Sequence, residues 1–251
     1  MKTLITFLFS FCIGFVAIAQ PSFVDYQKSY PRFATAVKLK EDTLKKQMEA
    51  AGLQWPVKQM YIRSFKFDSQ LEVWVRNSDK EAFKLFKTYK VCALAGSLGP
   101  KRMEGDYQVP EGFYYINQFN PKSSFHLSLG LNYPNASDKI LSDSISPGSD
   151  IFIHGKCVTT GCIPILDNQI EELYILAAHA KSQGQDFIPV HIFPVRYNNP
   201  KSVEALNKLV KDNTEVQQFA NRLKEVFDYF EDKKKLPIIS VNKKGEYLVL
   251  N

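Results

Sequence analysis

The sequence predicts a mainly β domain of sandwich-like build with α appendages: an N-terminal helix and a helical C-terminal region. Three observations carry this reading. Short stretches of strand character recur between residues 57 and 196. Turn signals at Asp68-Ser69-Gln70, Gly99-Pro100, Pro121-Lys122 and Pro147-Gly148 separate them. Helical periodicity dominates before and after that region. Many short strands with turns between them favour sheet packing over a helix bundle.

Residues 1–19 read as a secretory signal peptide. Lys2 gives the positive start, Leu4 to Ile18 the apolar core, and Ala17-Ile18-Ala19 a small-x-small cleavage site before Gln20. The apolar run is short for a membrane span, and Phe11 before Cys12 is too bulky for a lipoprotein site. The expectation is an exported protein of the periplasm or cell envelope, with no stable membrane insertion after cleavage.

Residues 20–56 form an N-terminal extension. Gln20 to Arg32 is expected to be extended, and Ala34 to Ala51 a surface helix. Val37, Leu44, Met48 and Ala51 lie on one face of that helix, and Gly52 stops it.

The main domain spans residues 57–196. Met60 to Phe67 and Leu71 to Arg76 read as a hairpin, and further strands are expected at Phe83 to Leu94, Gly112 to Asn117, Phe125 to Leu131, Asp150 to His154 and Val190 to Val195. A helix follows residue 165, with Asn168 and Glu171 at capping-box spacing. Ile170, Leu173, Ala177 and Ala180 form its buried face, and Gly184 ends it. Over residues 197–251, Pro200 opens one helix, and Thr214 with Gln217 caps a second that carries Phe219, Leu223, Phe227 and Phe230. Leu236 to Val241 and Glu246 to Leu250 read as a closing hairpin.

The net charge of +6 is spread along the chain, and Lys233-Lys234-Lys235 is its tightest run. With no basic stripe interleaved with aromatics, nucleic acid is not an expected partner. Gly96-Ser97-Leu98-Gly99 lacks the lysine and helix of a phosphate-binding loop. Of the four cysteines, Cys12 leaves with the signal, so Cys92, Cys157 and Cys162 remain. An odd number in an oxidising compartment leaves at least one thiol unpaired, which favours a chemical role for it.

That role has an obvious location in Ile151 to Ile165, I-F-I-H-G-K-C-V-T-T-G-C-I-P-I. A strand ends on His154-Gly155, and a short loop delivers Gly161-Cys162 into a second apolar run. The two arms of one turn thus bring an imidazole to a thiol, as a His-activated nucleophile requires. Cys162 is the candidate nucleophile and His154 its base. Gly161 allows a backbone N–H to approach a bound carbonyl oxygen, and Thr160 orders the loop. The competing readings are a buried structural thiol and a strand-end histidine bonded to a carbonyl. Cys157 is read as a free thiol or a reversible partner of Cys162. A zinc site of His154, Cys157 and Cys162 lacks a second Cys or His pair, so neither metal nor organic cofactor is expected. His126, Tyr133 and Arg196 are candidates for orienting His154 or holding a substrate carboxylate. His179 is expected to face solvent.

The segment resembles the signature of the L,D-transpeptidases of bacterial cell walls, the YkuD-type catalytic domain. Val109-Pro110-Glu111-Gly112-Phe113-Tyr114 resembles that family's Pro-x-Gly-aromatic element. The two cysteines around a shortened loop, with Phe125-His126-Leu127-Ser128, Tyr133-Pro134-Asn135 and His191 to Arg196, are similar to the YafK-like branch. Two departures stand out: seven residues separate His154 from Cys162 where a longer insertion is usual, and Pro164 occupies a position usually held by arginine or asparagine. The resemblance implies acyl transfer on peptidoglycan stem peptides, with Cys162 attacking at the L-centre of a diaminopimelate-type residue. It leaves three classes open: a transpeptidase, a hydrolase or amidase using the same thiol, and a catalytically silent wall-binding module.

Overall fold

The protein is described by a computed structural model over residues 21–250, so the signal-like residues 1–19 lie outside the described residues. The strands form one mixed sheet. They are β1 (Gln59–Phe65), β2 (Gln70–Arg76), β3 (Lys84–Lys90), β4 (Gly112–Asn120), β5 (Ser128–Leu131), β6 (Phe152–His154), β7 (Ile163–Pro164) and β8 (Ile188–Phe193). Their order is β3-β2-β1-β8-β4-β5-β6-β7, with β8 parallel to β1 and antiparallel to β4. The sheet curls until its ends meet: Val91, just past β3, pairs with Ile165, just past β7.

Helices cover both faces. On one side lie α1 (Phe23–Lys28), α2 (Pro31–Ala50) and α4 (Asp167–Ser182). Strand alternation sends Met60 and Ile62 of β1, Leu71, Val73 and Val75 of β2, and Val190 and Ile192 of β8 into this core. The opposite face of the same strands presents Tyr61, Phe65, Trp74 and Phe193 to Leu223, Phe227 and Phe230 of α6 (Thr214–Lys233). Because both faces are covered, the central strands are buried along nearly their whole length. The α4 helix is enclosed so fully that Leu173 to Ala178 are all inaccessible.

Buried charges on the α6 side are paired. Arg63 bonds Glu72 and Glu231 at 2.7 Å and lies over the rings of Trp74 and Phe230. Lys66 Nζ meets Glu111 at 3.0 Å and donates to the carbonyls of Gly99 and Val109, both at 2.9 Å. Burial holds His191 neutral, with its pKa down to about 3, and its Nδ1 bonds the Tyr61 hydroxyl.

The β-rich core with helices at both ends is as expected, and several local expectations are corrected. Gln20 to Arg32 is not extended where it is described. Ser22 accepts from Asp25 N–H and Asp25 reaches back, capping α1, and Pro31 is already at the start of α2. The α4 cap is not Asn168 with Glu171; Gln169 accepts from Leu166 N–H at 3.2 Å, and Glu171 is left to hold a histidine. Asn213, one residue before Thr214, caps α6. The short α3 (Ala136–Leu141), capped by Asn135, had no counterpart in the sequence reading. His179 is not solvent-facing: its Nε2 bonds Glu41 of α2 at 2.6 Å and its ring packs on Trp55. Pro200 does open α5 (Pro200–Val210), and β9 (Ile238–Val241) with β10 (Tyr247–Leu250) is the expected closing hairpin.

Candidate active site

β6 and β7 are short parallel neighbours, so the loop between them must return along its own length. Ile153 pairs with Ile163, and Ile165 N–H reaches the His154 carbonyl at 2.8 Å. Gly155 makes the return possible. A Cβ there would lie 2.6 Å from Asp167 Oδ1 and 2.9 Å from both His126 Cβ and the Phe125 carbonyl. Gly161 adopts a φ of +151°, and a Cβ there would crowd the Gln108 carbonyl at 3.1 Å. Lys156 N–H bonds Asp167 at 2.8 Å, tying the loop to the start of α4.

Within the loop the ordering hydroxyl belongs to Thr159 rather than Thr160. Thr159 Oγ1 donates to the Cys162 carbonyl at 2.8 Å and accepts from Gly161 N–H at 3.0 Å. The Gly161 N–H is therefore committed to Thr159, while Thr160 lines a cleft beside the thiol. Cys157 is not a partner of Cys162. It forms a disulfide with Cys92, just past β3, and Cys162 is a free, half-buried thiol. A thiol locked in that bond cannot ligate zinc, and among the described residues no group of three or more His, Cys, Asp or Glu is arranged to hold a metal.

The Cys162 sulfur rests between two backbone groups. It accepts from Phe152 N–H at 3.4 Å, and its S–H donates to the Asp150 carbonyl at 3.6 Å. Burial pushes the thiol pKa up and the Asp150 charge adds to this, against the Phe152 N–H. His154 is almost completely buried, which pushes its pKa down. Its Nδ1 donates to the Gly155 carbonyl at 2.5 Å, leaving Nε2 as the free nitrogen. Both shifts favour the neutral thiol and the neutral imidazole. The Phe125 ring packs on His154 at 4.7 Å.

Two clefts meet at Cys162. One, of about 340 Å³, is lined by Asn120, Ser123, Phe125, Phe152 and His154. The other, of about 270 Å³, is lined by Lys101, Glu104, Tyr107, Thr160 and Gly161, and Asp150 borders both.

The remaining candidates lie behind or beyond these walls. His126 precedes β5 in a left-handed turn at φ +71°, its Nε2 on Glu171 at 2.8 Å and its carbonyl held by Arg32. It supports Gly155 from behind. Tyr133 donates to the Pro147 carbonyl at 2.7 Å, below the segment that leads to Asp150. Arg196 is spent on Glu72 and Gln70, each at 2.7 Å, with its guanidinium over Phe65, and it lines neither cleft. Sequence reasoning missed Asp150, Phe152 and Thr159. Phe152 touches the thiol only through its backbone N–H and Asp150 through its carbonyl as well as its charge, contacts with no local sequence signal, whereas Thr159 was the neighbour of the threonine chosen.

A curled β-sheet thus carries His154 and the free Cys162 on the two arms of one loop, lining a common cleft. Residues 68–192 match the YkuD L,D-transpeptidase catalytic domain. The chain is 33% identical over 192 residues to the "Putative L,D-transpeptidase YafK" of Escherichia coli K12, covering 76% of this chain and 73% of that one. It belongs to the L,D-transpeptidase (YkuD) family. Among solved structures it is similar to the helical cell shape determining protein Pgp2 of Campylobacter jejuni (20% identity, 75% and 74% of the chains covered, TM-score 0.44). It is also similar to Bd1075 of Bdellovibrio bacteriovorus (23%, 70% and 64%, TM-score 0.38).

Proposed function

We propose that the protein is an exported cysteine acyltransferase acting on peptidoglycan stem peptides, an L,D-transpeptidase of wall cross-linking or remodelling. The observation that carries this is the cleft shared by Cys162 and His154, with the sulfur held by Phe152 N–H and the imidazole fixed by the Gly155 carbonyl. Cys162 attacks the amide carbonyl at the L-centre of a diaminopimelate-type residue as His154 takes the thiol proton. His154 then returns that proton to the departing amine, and an acceptor amine resolves the thioester. With Gly161 N–H bonded to Thr159, the Cys162 N–H is the donor left to meet the oxyanion.

Export is supported by the signal-like residues 1–19 and by the Cys92–Cys157 disulfide, since such bonds persist in oxidising compartments. No helix among the described residues is long and apolar enough to cross a membrane.

Muropeptide mass spectrometry after incubation with the purified protein tests the reading. New cross-links through a diaminopimelate L-centre are expected, and Cys162→Ala abolishes them. Shortened or released stems would assign the hydrolase instead, and unchanged muropeptides would leave a wall-binding module.

A further inference from the structure

The closing hairpin turns one apolar face away from the protein. Across β9 and β10, Ile238 pairs with Leu250 and Ser240 with Leu248. Strand alternation puts these four side chains on one side of the two-stranded sheet, and Ile239, Val241 and Tyr247 on the other. The second set packs into the cluster of Phe65, Phe193, Leu223 and Phe227. The first set points outward: Ile238 is 69% exposed, Leu250 51% and Leu248 40%. In the turn, Gly245 lies against Ile140 and Leu141 of α3, and Ile140 is itself half exposed, so the apolar surface continues past the hairpin.

The rim of this surface is cationic. Residues 233–250 hold five lysines and one glutamate. Lys233 and Lys234 are taken up by Asp232 and Glu231, and the Glu246 carboxylate accepts from Asn242. Lys235 ahead of β9, Lys243 and Lys244 in the turn, and Lys139 on α3 are exposed and form no ion pair among the described residues.

We propose that this face docks reversibly on an anionic phospholipid bilayer. Ile238, Leu248 and Leu250 enter the headgroup boundary, and the lysines at both ends of the hairpin meet lipid phosphates. A second copy of the chain is the poorer occupant. Both ends of the hairpin are cationic, so a two-fold contact through this face apposes lysines in either orientation. None of these residues lines the clefts at Cys162, so docking is separable from the chemistry proposed there.

Vesicle co-sedimentation tests the surface, with the purified chain freed of residues 1–19, whose apolar run would itself enter lipid. Wild-type protein is expected to bind vesicles of phosphatidylglycerol mixed with phosphatidylcholine about a hundredfold more tightly than phosphatidylcholine alone, and salt should weaken that binding. The triple variant Lys235→Gln/Lys243→Gln/Lys244→Gln is expected to remove most of the preference, at roughly fivefold per lysine near an anionic surface. Ile238→Ser/Leu250→Ser should weaken binding about tenfold and keep its salt dependence. Leu248→Trp adds an indole whose emission brominated phosphatidylcholine in the mixed vesicles should quench, beyond any change in Trp55 and Trp74. All these positions are exposed, so melting temperature and Cys162 acylation should stay at wild-type values. Wild-type protein left in the supernatant with the anionic vesicles overturns the proposal. So does binding that the lysine and apolar variants both leave intact. A dimer that Ile238→Ser/Leu250→Ser dissolves, without vesicle binding, gives the face to a second copy instead.

Discussion

The Cys162 sulfur and the His154 ring are held by backbone atoms, so each can be removed with little disturbance to its neighbours. Cys162→Ala is expected to abolish acylation by a β-lactam or stem peptide with the melting temperature nearly unchanged. His154→Ala is expected to slow acylation by roughly a hundred- to ten-thousand-fold, the usual worth of general-base assistance. Raising the pH should restore part of the loss, since hydroxide can then supply the thiolate. Burial pushes the thiol pKa up, so the rescue should begin above the ordinary thiol range. It should stay incomplete, because no group protonates the leaving amine. In the wild-type protein the lowered His154 pKa keeps the base neutral into mildly acidic solution. The acid limb of the acylation profile should therefore lie below the ordinary histidine range. A His154→Ala protein that acylates at the wild-type rate near neutrality would remove His154 from the mechanism. That these two residues share a cleft was legible in the sequence, because strand, turn and strand already set them on facing arms. Arg196 was a candidate for a substrate carboxylate or an ion pair, and nothing local in the sequence shows that its partner is Glu72, far away along the chain.

Elements carry the next level of the site. The loop between β6 and β7 is tied to the far edge of the sheet by Cys92–Cys157 and by the Val91–Ile165 pair. The sequence put Cys157 beside Cys162 in one short loop, and only the curl of the whole sheet brings Cys92 near. Reduction is therefore expected to loosen the loop rather than release a blocked nucleophile. The Cys92→Ser/Cys157→Ser double variant should lose about 2–4 kcal/mol of stability and acylate more slowly, as denaturant melts and acylation rates would register. Peptide mapping without reductant should find Cys162 fully alkylatable; finding it bonded to Cys157 would refute the pairing.

The α3 cap makes a second prediction at this scale. Asp138 accepts from Asn135 N–H and the Tyr114 hydroxyl, yet burial raises its pKa to about 6. The folded pKa lies above the unfolded one, so the native state binds the extra proton. The resulting contribution is fully present below the unfolded value and is lost as pH rises through about 6. Thermal melts should show stability falling between pH 4 and 7 from this group, and Asp138→Asn should flatten that dependence.

At the scale of the molecule, one sheet carries two cores, and buried ion pairs fix what lies on the α6 side. Lys66 holds the Gly99 and Val109 carbonyls as well as Glu111, so it anchors the segment whose Gln108 carbonyl packs on Gly161. Lys66→Met leaves Glu111 buried and unpaired, and is expected to cost about 3–5 kcal/mol in a denaturant melt. Phe230→Ala, at the centre of the Tyr61, Trp74 and Phe83 cluster, should cost a similar 3–5 kcal/mol. Strand character and the amphipathic helices were readable because alternation and helical spacing are local. Sheet order was not, since β8 enters between strands far from it in sequence. That placement bears on how the chain is made. β1 and β4 wait for a common neighbour that ends at Phe193, so no ribosome or secretion pore can release a finished sheet before most of the polypeptide has emerged. An export pore accepts an unfolded chain, and a central seam that cannot close before Phe193 emerges fits the export proposed above.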